Sequence, residues 1–233
     1  KKPLIIYVNH WRSKRAAESK RIKYALALKS EIDKQKEKDY IILGDLNSNY
    51  NEYKTFRYDK KLNDTYGITG INQILNTIIK ENFVQKPNIL TYNENVHFNT
   101  WLEIPNNVRF SSKFKNNNNT PDNILLSSNL FDDRNISYVN NSFQVFKAHY
   151  LFRNNKIFRW NRSKNFIKPE FLPLYAYFST QKQDFNFLNK SQENIKKRNS
   201  INHLYEVEQV STFELKNVTV IYKAPKIAII KQT

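Results

Sequence analysis

Side chains able to do chemistry gather in three short segments. Gly44-Asp45-Leu46-Asn47 sets a carboxylate and a carboxamide two residues apart. Asp45 can accept a hydrogen bond and Asn47 can donate one, so the pair suits a single phosphate, although the same residues also make an ordinary turn. Gly44 is one of only three glycines. At the end of a strand, a residue without Cβ lets backbone approach a ligand or take φ > 0. The second segment, Asn9-His10-Trp11-Arg12-Ser13-Lys14, adds an imidazole and a run of donors. The third, Pro121-Asp122-Asn123-Ile124-Leu125-Leu126, puts an acid at the start of an apolar run.

Specific elements must bring these segments together. Leu4-Ile5-Ile6-Tyr7-Val8 and Tyr40-Ile41-Ile42-Leu43 are short β-branched apolar runs and read as buried strands. Between them, from about Ala16 to Glu37, Ile22, Ala25, Leu28 and Ile32 recur at helical spacing with Leu26 beside them, which predicts an amphipathic helix. Strand, helix and strand make a β-α-β unit. If its strands are parallel neighbours, His10 and Asp45 lie on one rim of the sheet, where open α/β sheets place their chemistry.

The rest of the chain is less regular. Residues 50–82 read as mostly helical, with Ile71, Ile74, Leu75, Ile78 and Ile79 as a second helical pattern. Asn116 to Asn119 read as a loop, residues 136–152 as a strand pair, and Leu172 to Phe178 as a late strand. Residues 181–203 are polar and read as a linker. From Tyr205 the patterning has period two (Phe213/Leu215, Val218/Val220/Tyr222, Ile227 to Ile230) with a turn at Ala224-Pro225. Residues 1–180 are therefore expected to form the main domain, and 204–233 the start of a small, truncated β unit resembling an oligonucleotide-binding fold.

Composition excludes several classes. No apolar run reaches the ~18–20 residues that span a bilayer. Without cysteine there is no disulfide framework, thiolate metal site or cysteine nucleophile. Without methionine, Lys1 is not a start residue, and the chain is expected to have been cut at its front. The 38 basic residues exceed the 21 acidic ones, giving +17. That excess favours nucleic acid or anionic lipid as partner, while 28 Lys and 33 Asn can equally reflect base composition. His97, His149 and His203 have no ligand spacing and read as structural or surface residues. Trp101 and Trp160 read as core. Arg159-Trp160-Asn161-Arg162, and Lys14, Arg15, Lys20, Arg21 and Lys23, are candidate phosphate contacts, with a solvated face as the alternative. Gly67-x-x-Gly70 lacks the Gly-Lys-Ser/Thr of a nucleotide loop.

Taken together, the three segments resemble the endonuclease/exonuclease/phosphatase superfamily, the deoxyribonuclease-I-like fold. Val8 to Lys14 looks like the "NHWKSK" segment of its bacterial nuclease branch. Ile42 to Asn47 looks like its "GDFN" motif. Thr120 to Leu126 resembles its "LDHILL" segment, with Asn123 where histidine is common. The resemblance spans residues 3–180. It implies the C-terminal portion of a four-layer α/β sandwich that cleaves phosphoesters with a divalent metal, usually Mg²⁺, and an activated water. On it, His10 contacts phosphate and assists proton transfer, Asp45 and Asn47 position water and phosphate, and Asp122 orients a general-base histidine. Asn9, Ser13, Lys14, Asn123 and Arg159 become phosphate or nucleic-acid contacts. Membership of this branch also implies an exported bacterial protein.

Two departures qualify this. The family's upstream Asn and metal-binding Glu are not in the chain, which implies a start within the domain and a separate chain supplying the first half. The closing Ser-Asp-His-x-Pro aligns with Pro169-Glu170-Phe171, so Glu170 is the remaining metal candidate and Phe171 stands where the base should be. General-base catalysis is typically worth ~10²–10⁴-fold. The expectation is a metal-dependent phosphodiesterase acting on nucleic acid, degenerate or inactive as this chain alone. The alternatives are a non-catalytic nucleic-acid-binding remnant and a small-molecule or lipid phosphoesterase.

Overall fold

A computed structural model describes residues 3–35, 38–114, 117–153, 156–157 and 171–180, and the backbone of 218–223 and 227–232. The fold is mixed α/β, rich in sheet and poor in helix. Strand β1 (Ile5–His10), helix α1 (Glu18–Lys34) and strand β2 (Tyr40–Asp45) form the expected unit. β1 and β2 pair in parallel from Ile5↔Tyr40 to His10↔Asp45, a pairing that needs a crossover, which α1 provides.

All other pairings in the main sheet are antiparallel. The Asp122–Ser127 strand pairs with β2, and His97–Asn99 pairs with Asp122–Ser127. On the other edge Ile227–Gln232 pairs with β1, and Val218–Lys223 pairs with Ile227–Gln232. The period-2 pattern near the end of the chain thus makes a hairpin that extends this sheet. The linker 181–203, residues 204–217 and the Ala224-Pro225 turn lie outside the described residues. Among the described residues the other strands form five two-stranded pairs, and no helix is long and apolar enough to cross a membrane.

Alternation divides the core. Ile5 and Tyr7 of β1, Tyr40 and Ile42 of β2, and Leu125 pack with Ala25, Leu28 and Ile32 of α1. Ile41, Ile124, Leu126 and Phe98 face the other way, onto Val84, Trp101, Leu130 and Phe143. Burying Leu28 or Ile32 contributes about 1.5–3 kcal/mol each. The buried stripe of α1 is Glu18, Arg21, Ala25, Leu28 and Ile32. Ile22, expected in it, is half-buried, and Leu26 is 49% exposed.

The helical reading of residues 50–82 is corrected. α2 (Glu52–Thr55) is a single turn. Ile71 and Ile74 belong to one π-helical turn, Gly70–Ile74. Asn76 at φ 48° then leaves the helix, and Lys80 (φ 48°) and Glu81 (φ 64°) turn the Ile78–Ile79/Asn82–Phe83 hairpin. Two successive positive φ values match the twist of such a hairpin. Asn117–Asn119, expected as loop, pairs with Ser112–Phe114. The strands within 136–152 pair with the late segment rather than with each other: Ser137–Tyr138 with Phe178–Ser179, and Gln144–Val145 with Leu174–Tyr175.

Candidate functional site

His10, Asp45 and Asp122 occupy one row across three neighbouring strands, His10↔Asp45 and Asp45↔Asp122. Directly opposed residues share a face of the sheet, so all three point away from α1. His10 Nε2 lies 3.7 Å from Asp45 Oδ2; the imidazole is 69% exposed and the carboxylate 19%. Asp122 Oδ2 accepts a 2.6 Å hydrogen bond from Ser111 Oγ. Burial pushes the Asp122 carboxyl up to about 6; the Ser111 bond opposes this, the Asp45 charge adds to it, and His10 weakly opposes it. Two carboxylates side by side, one holding its proton more tightly, suit proton exchange.

Local backbone fixes the row. Gly44 has φ +124°, and a Cβ there would lie 2.0 Å from the Asn9 carbonyl oxygen, so β1 and β2 approach only because the residue is glycine. Asn47 takes φ 48°. Its backbone N–H donates to Asp45 Oδ1 (2.9 Å), and its Nδ2 donates to the Trp11 carbonyl (3.0 Å). Trp11 N–H donates to the Asp45 carbonyl (2.9 Å), and Leu46 N–H to that of Pro121 (2.9 Å). The three motif segments are thus tied to one another at the rim.

Burial and hydrogen bonding tie several of the expected phosphate contacts into the rim itself. Asn9 is 3% exposed, donates from Nδ2 to the Tyr7 carbonyl (2.9 Å) and accepts from Trp11 Nε1 (3.1 Å). Asn123 is 1% exposed; its Nδ2 reaches the carbonyls of Ser48, Thr120 and Pro121, and it accepts from Asn99 Nδ2 at 3.0 Å. Both side chains hold the rim from inside. Lys14 Nζ pairs with the fully buried Glu52 at 2.7 Å. Arg21 is buried and not a groove residue: Nε pairs with Glu18 (2.7 Å), and Nη1 donates to the carbonyls of Arg12, Ser13 and Ala16. Glu18 Oε1 accepts from Gly70 N–H; burial raises its carboxyl, with Arg21 opposing. This network templates the loop after His10, leaving Ser13, Arg12 and Arg15 exposed. Arg159 and Glu170 lie outside the described residues.

The expected histidine partner of Asp122 is replaced by Ser111. Leu172 N–H donates to the Ser111 carbonyl at 2.8 Å, which brings the chain just after Phe171 beside Ser111. Phe171 there is half-buried. His97 is elsewhere, buried between Tyr40 Oη (2.9 Å) and the Leu75 carbonyl, and burial lowers it to about 4. Trp101 is core, as expected, and its Nε1 donates to the Asp122 carbonyl at 2.7 Å. Ser111, Glu18 and Glu52 were not singled out in the sequence: no motif surrounds them, and buried acids look like surface acids in a charged chain.

Among the described residues no three His, Cys, Asp or Glu side chains converge as a metal-binding group. Asp45 and Asp122 form a two-carboxylate set, which fits Mg²⁺ that completes its shell with water and substrate phosphate, not an all-protein cage. Beside the rim a cavity of about 490 Å³ is lined by His10, Arg12, Arg15 and Tyr24 among others. Searches of family models, curated proteins and solved structures found no match for the chain.

Proposed function

We propose that this chain carries the phosphate-handling rim of a metal-dependent phosphodiesterase directed at nucleic acid, built on the deoxyribonuclease-I-like plan that its motifs resemble. The observation that carries the reading is the His10–Asp45–Asp122 row, an exposed imidazole and a carboxylate at the ends of two parallel strands beside a second carboxylate at the start of the antiparallel strand next to them. His10 offers Nε2 to a phosphoryl or leaving oxygen, with Asp45 Oδ2 3.7 Å away. Asn47 is pinned at the rim by Trp11, so its remaining amide N–H can point at phosphate. Asp45 and Asp122 would hold Mg²⁺, which when bound supplies charge neutralisation for phosphoryl transfer.

Asp122 faces a hydroxyl rather than an imidazole. That supports weak turnover, and it favours a second reading in which the chain binds nucleic acid without cleaving it. Removing a general base costs ~10²–10⁴-fold. The test is Mg²⁺-dependent nicking of supercoiled plasmid, where a single cut gives open circles. Nicking by the wild type that His10→Ala abolishes supports hydrolysis. DNA binding without nicking at any Mg²⁺ concentration supports the binding reading, and neither binding nor nicking rejects both.

A further inference from the structure

A second cavity of about 440 Å³ adjoins the first, sharing Arg12, Ala16 and Tyr24 with it and continuing to Lys20 and Lys23 of α1. Together they make a groove that starts at His10 and runs beside α1. Within α1, Glu18 to Tyr24 covers six residue steps, about 9 Å at helical rise, with Ala16 on the loop just before it. Arg12, Arg15, Lys20 and Lys23 are exposed along it, and no acidic residue lines either cavity. Arg12 and Arg15 ride on the loop that Arg21 holds. Arg21 binds the loop carbonyls from below and pairs with Glu18 inside, so the internal acid is already neutralised. The half-buried Tyr24 packs against the core and lines both cavities. A row of cations around one aromatic ring is what single-stranded nucleic acid uses: phosphates along the charge, a base on the ring.

We infer that this groove is the strand-binding track of the protein, holding the backbone of a single-stranded nucleic acid on Arg12, Arg15, Lys20 and Lys23, with one base stacked on Tyr24 and the strand delivered to the rim at His10. The inference rests on the reading that the rim takes nucleic-acid phosphate. A lone basic helix face would bind any polyanion weakly; the ring and the opening onto His10 select a nucleic-acid strand.

The test is fluorescence anisotropy of a labelled oligothymidylate over a series of salt concentrations, with EDTA present so that cleavage plays no part. Lys20→Gln/Lys23→Gln is expected to weaken binding about tenfold and to flatten the plot of log K against log salt by ~1.4, two contacts at ~0.7 each. Tyr24→Leu, which keeps the apolar packing, is expected to cost about tenfold, and Tyr24→Phe to restore binding. Lys60→Gln/Lys61→Gln, exposed lysines that line neither cavity, should bind as wild type. Groove variants that match this control pair overturn the inference. So does tighter binding to duplex with Tyr24→Leu silent, or a preference for phosphatidylserine vesicles over the oligonucleotide. If plasmid nicking is absent while groove variants lose binding, the hydrolytic reading fails and the groove stands. Nicking that depends on His10, with unchanged binding by the groove variants, has the reverse meaning.

Discussion

Ser111 Oγ donates a 2.6 Å hydrogen bond to Asp122 Oδ2, and this bond is the largest influence opposing the upward push of burial on that carboxyl. Its consequence is a pH dependence with a definite sign. Asp122 titrates near 6 in the fold against an ordinary 3.8, so the folded state binds the proton more tightly than the unfolded one. The resulting stabilisation is complete below about 3.8 and is lost as pH rises through about 6. Asp122→Asn should flatten the part of the stability–pH curve between these values, and Ser111→Ala should move the fall to higher pH. Urea midpoints measured from pH 4 to pH 8 check both; a curve identical for wild type and Asp122→Asn would refute the assignment.

Gly44 can be tested directly. Alanine there brings a Cβ to 2.0 Å from the Asn9 carbonyl oxygen at a φ of +124°. Strain of this backbone kind alone costs about 1–3 kcal/mol, and separating β1 from β2 adds to it. Gly44→Ala should therefore lower the urea midpoint markedly. Gly67→Ala, where a Cβ meets nothing within 4 Å, should cost less. Equal losses at the two sites would mean that the close approach of the strands does not matter.

The β-α-β unit was legible because its residues obey one rule each. Ile5 and Tyr7 alternate with the residues facing the other way, Ala25, Leu28 and Ile32 keep helical spacing, and the parallel register follows from the crossover. The rim followed from it, since His10 and Asp45 end matching strands. Asn9 and Asn123 misled because a motif position does not say whether an amide faces water or three carbonyls. Arg21 reads as a groove residue because a buried ion pair with Glu18 at i, i+3 is indistinguishable in sequence from a solvated one. Ile71 to Ile79 carry helical spacing, but the positive φ at Asn76 ends the helix after one turn and those at Lys80 and Glu81 make a hairpin, and none of these residues is a glycine that would have announced it.

Asn123 yields a prediction against the motif. The segment that it resembles commonly has histidine there, yet this asparagine serves the carbonyls of Ser48, Thr120 and Pro121 and the amide of Asn99 at once. An imidazole cannot donate along three such directions while accepting along a fourth. Asn123→His should cost about 1–3 kcal/mol for the polar groups left unpartnered in a buried place. It should also loosen the loop around Asn47, read as faster amide exchange at Asn47 and Leu46. Unchanged stability and exchange would show that the loop is held by other bonds.

Lys14 and Glu52 offer the last test, because they separate a phosphate-contacting lysine from a structural one. Glu52 is fully buried; its Oε2 takes Lys14 Nζ at 2.7 Å and Asn49 N–H at 2.7 Å, and its Oε1 has no hydrogen-bond partner among the described residues. Removing the cation leaves a buried carboxylate without its countercharge, a loss that reaches about 3–5 kcal/mol for fully buried pairs. Lys14 is 32% exposed, so solvent screens part of this, and Lys14→Met should cost about 1–3 kcal/mol. Adding Glu52→Gln should recover most of the loss, since the charge that needed Lys14 is gone. Oligonucleotide binding should change little in the double variant, because Lys14 does not line the groove. If Lys14→Met weakens binding without lowering stability, and Glu52→Gln does not compensate, then Lys14 faces the nucleic acid in solution and the ion pair is not what holds it.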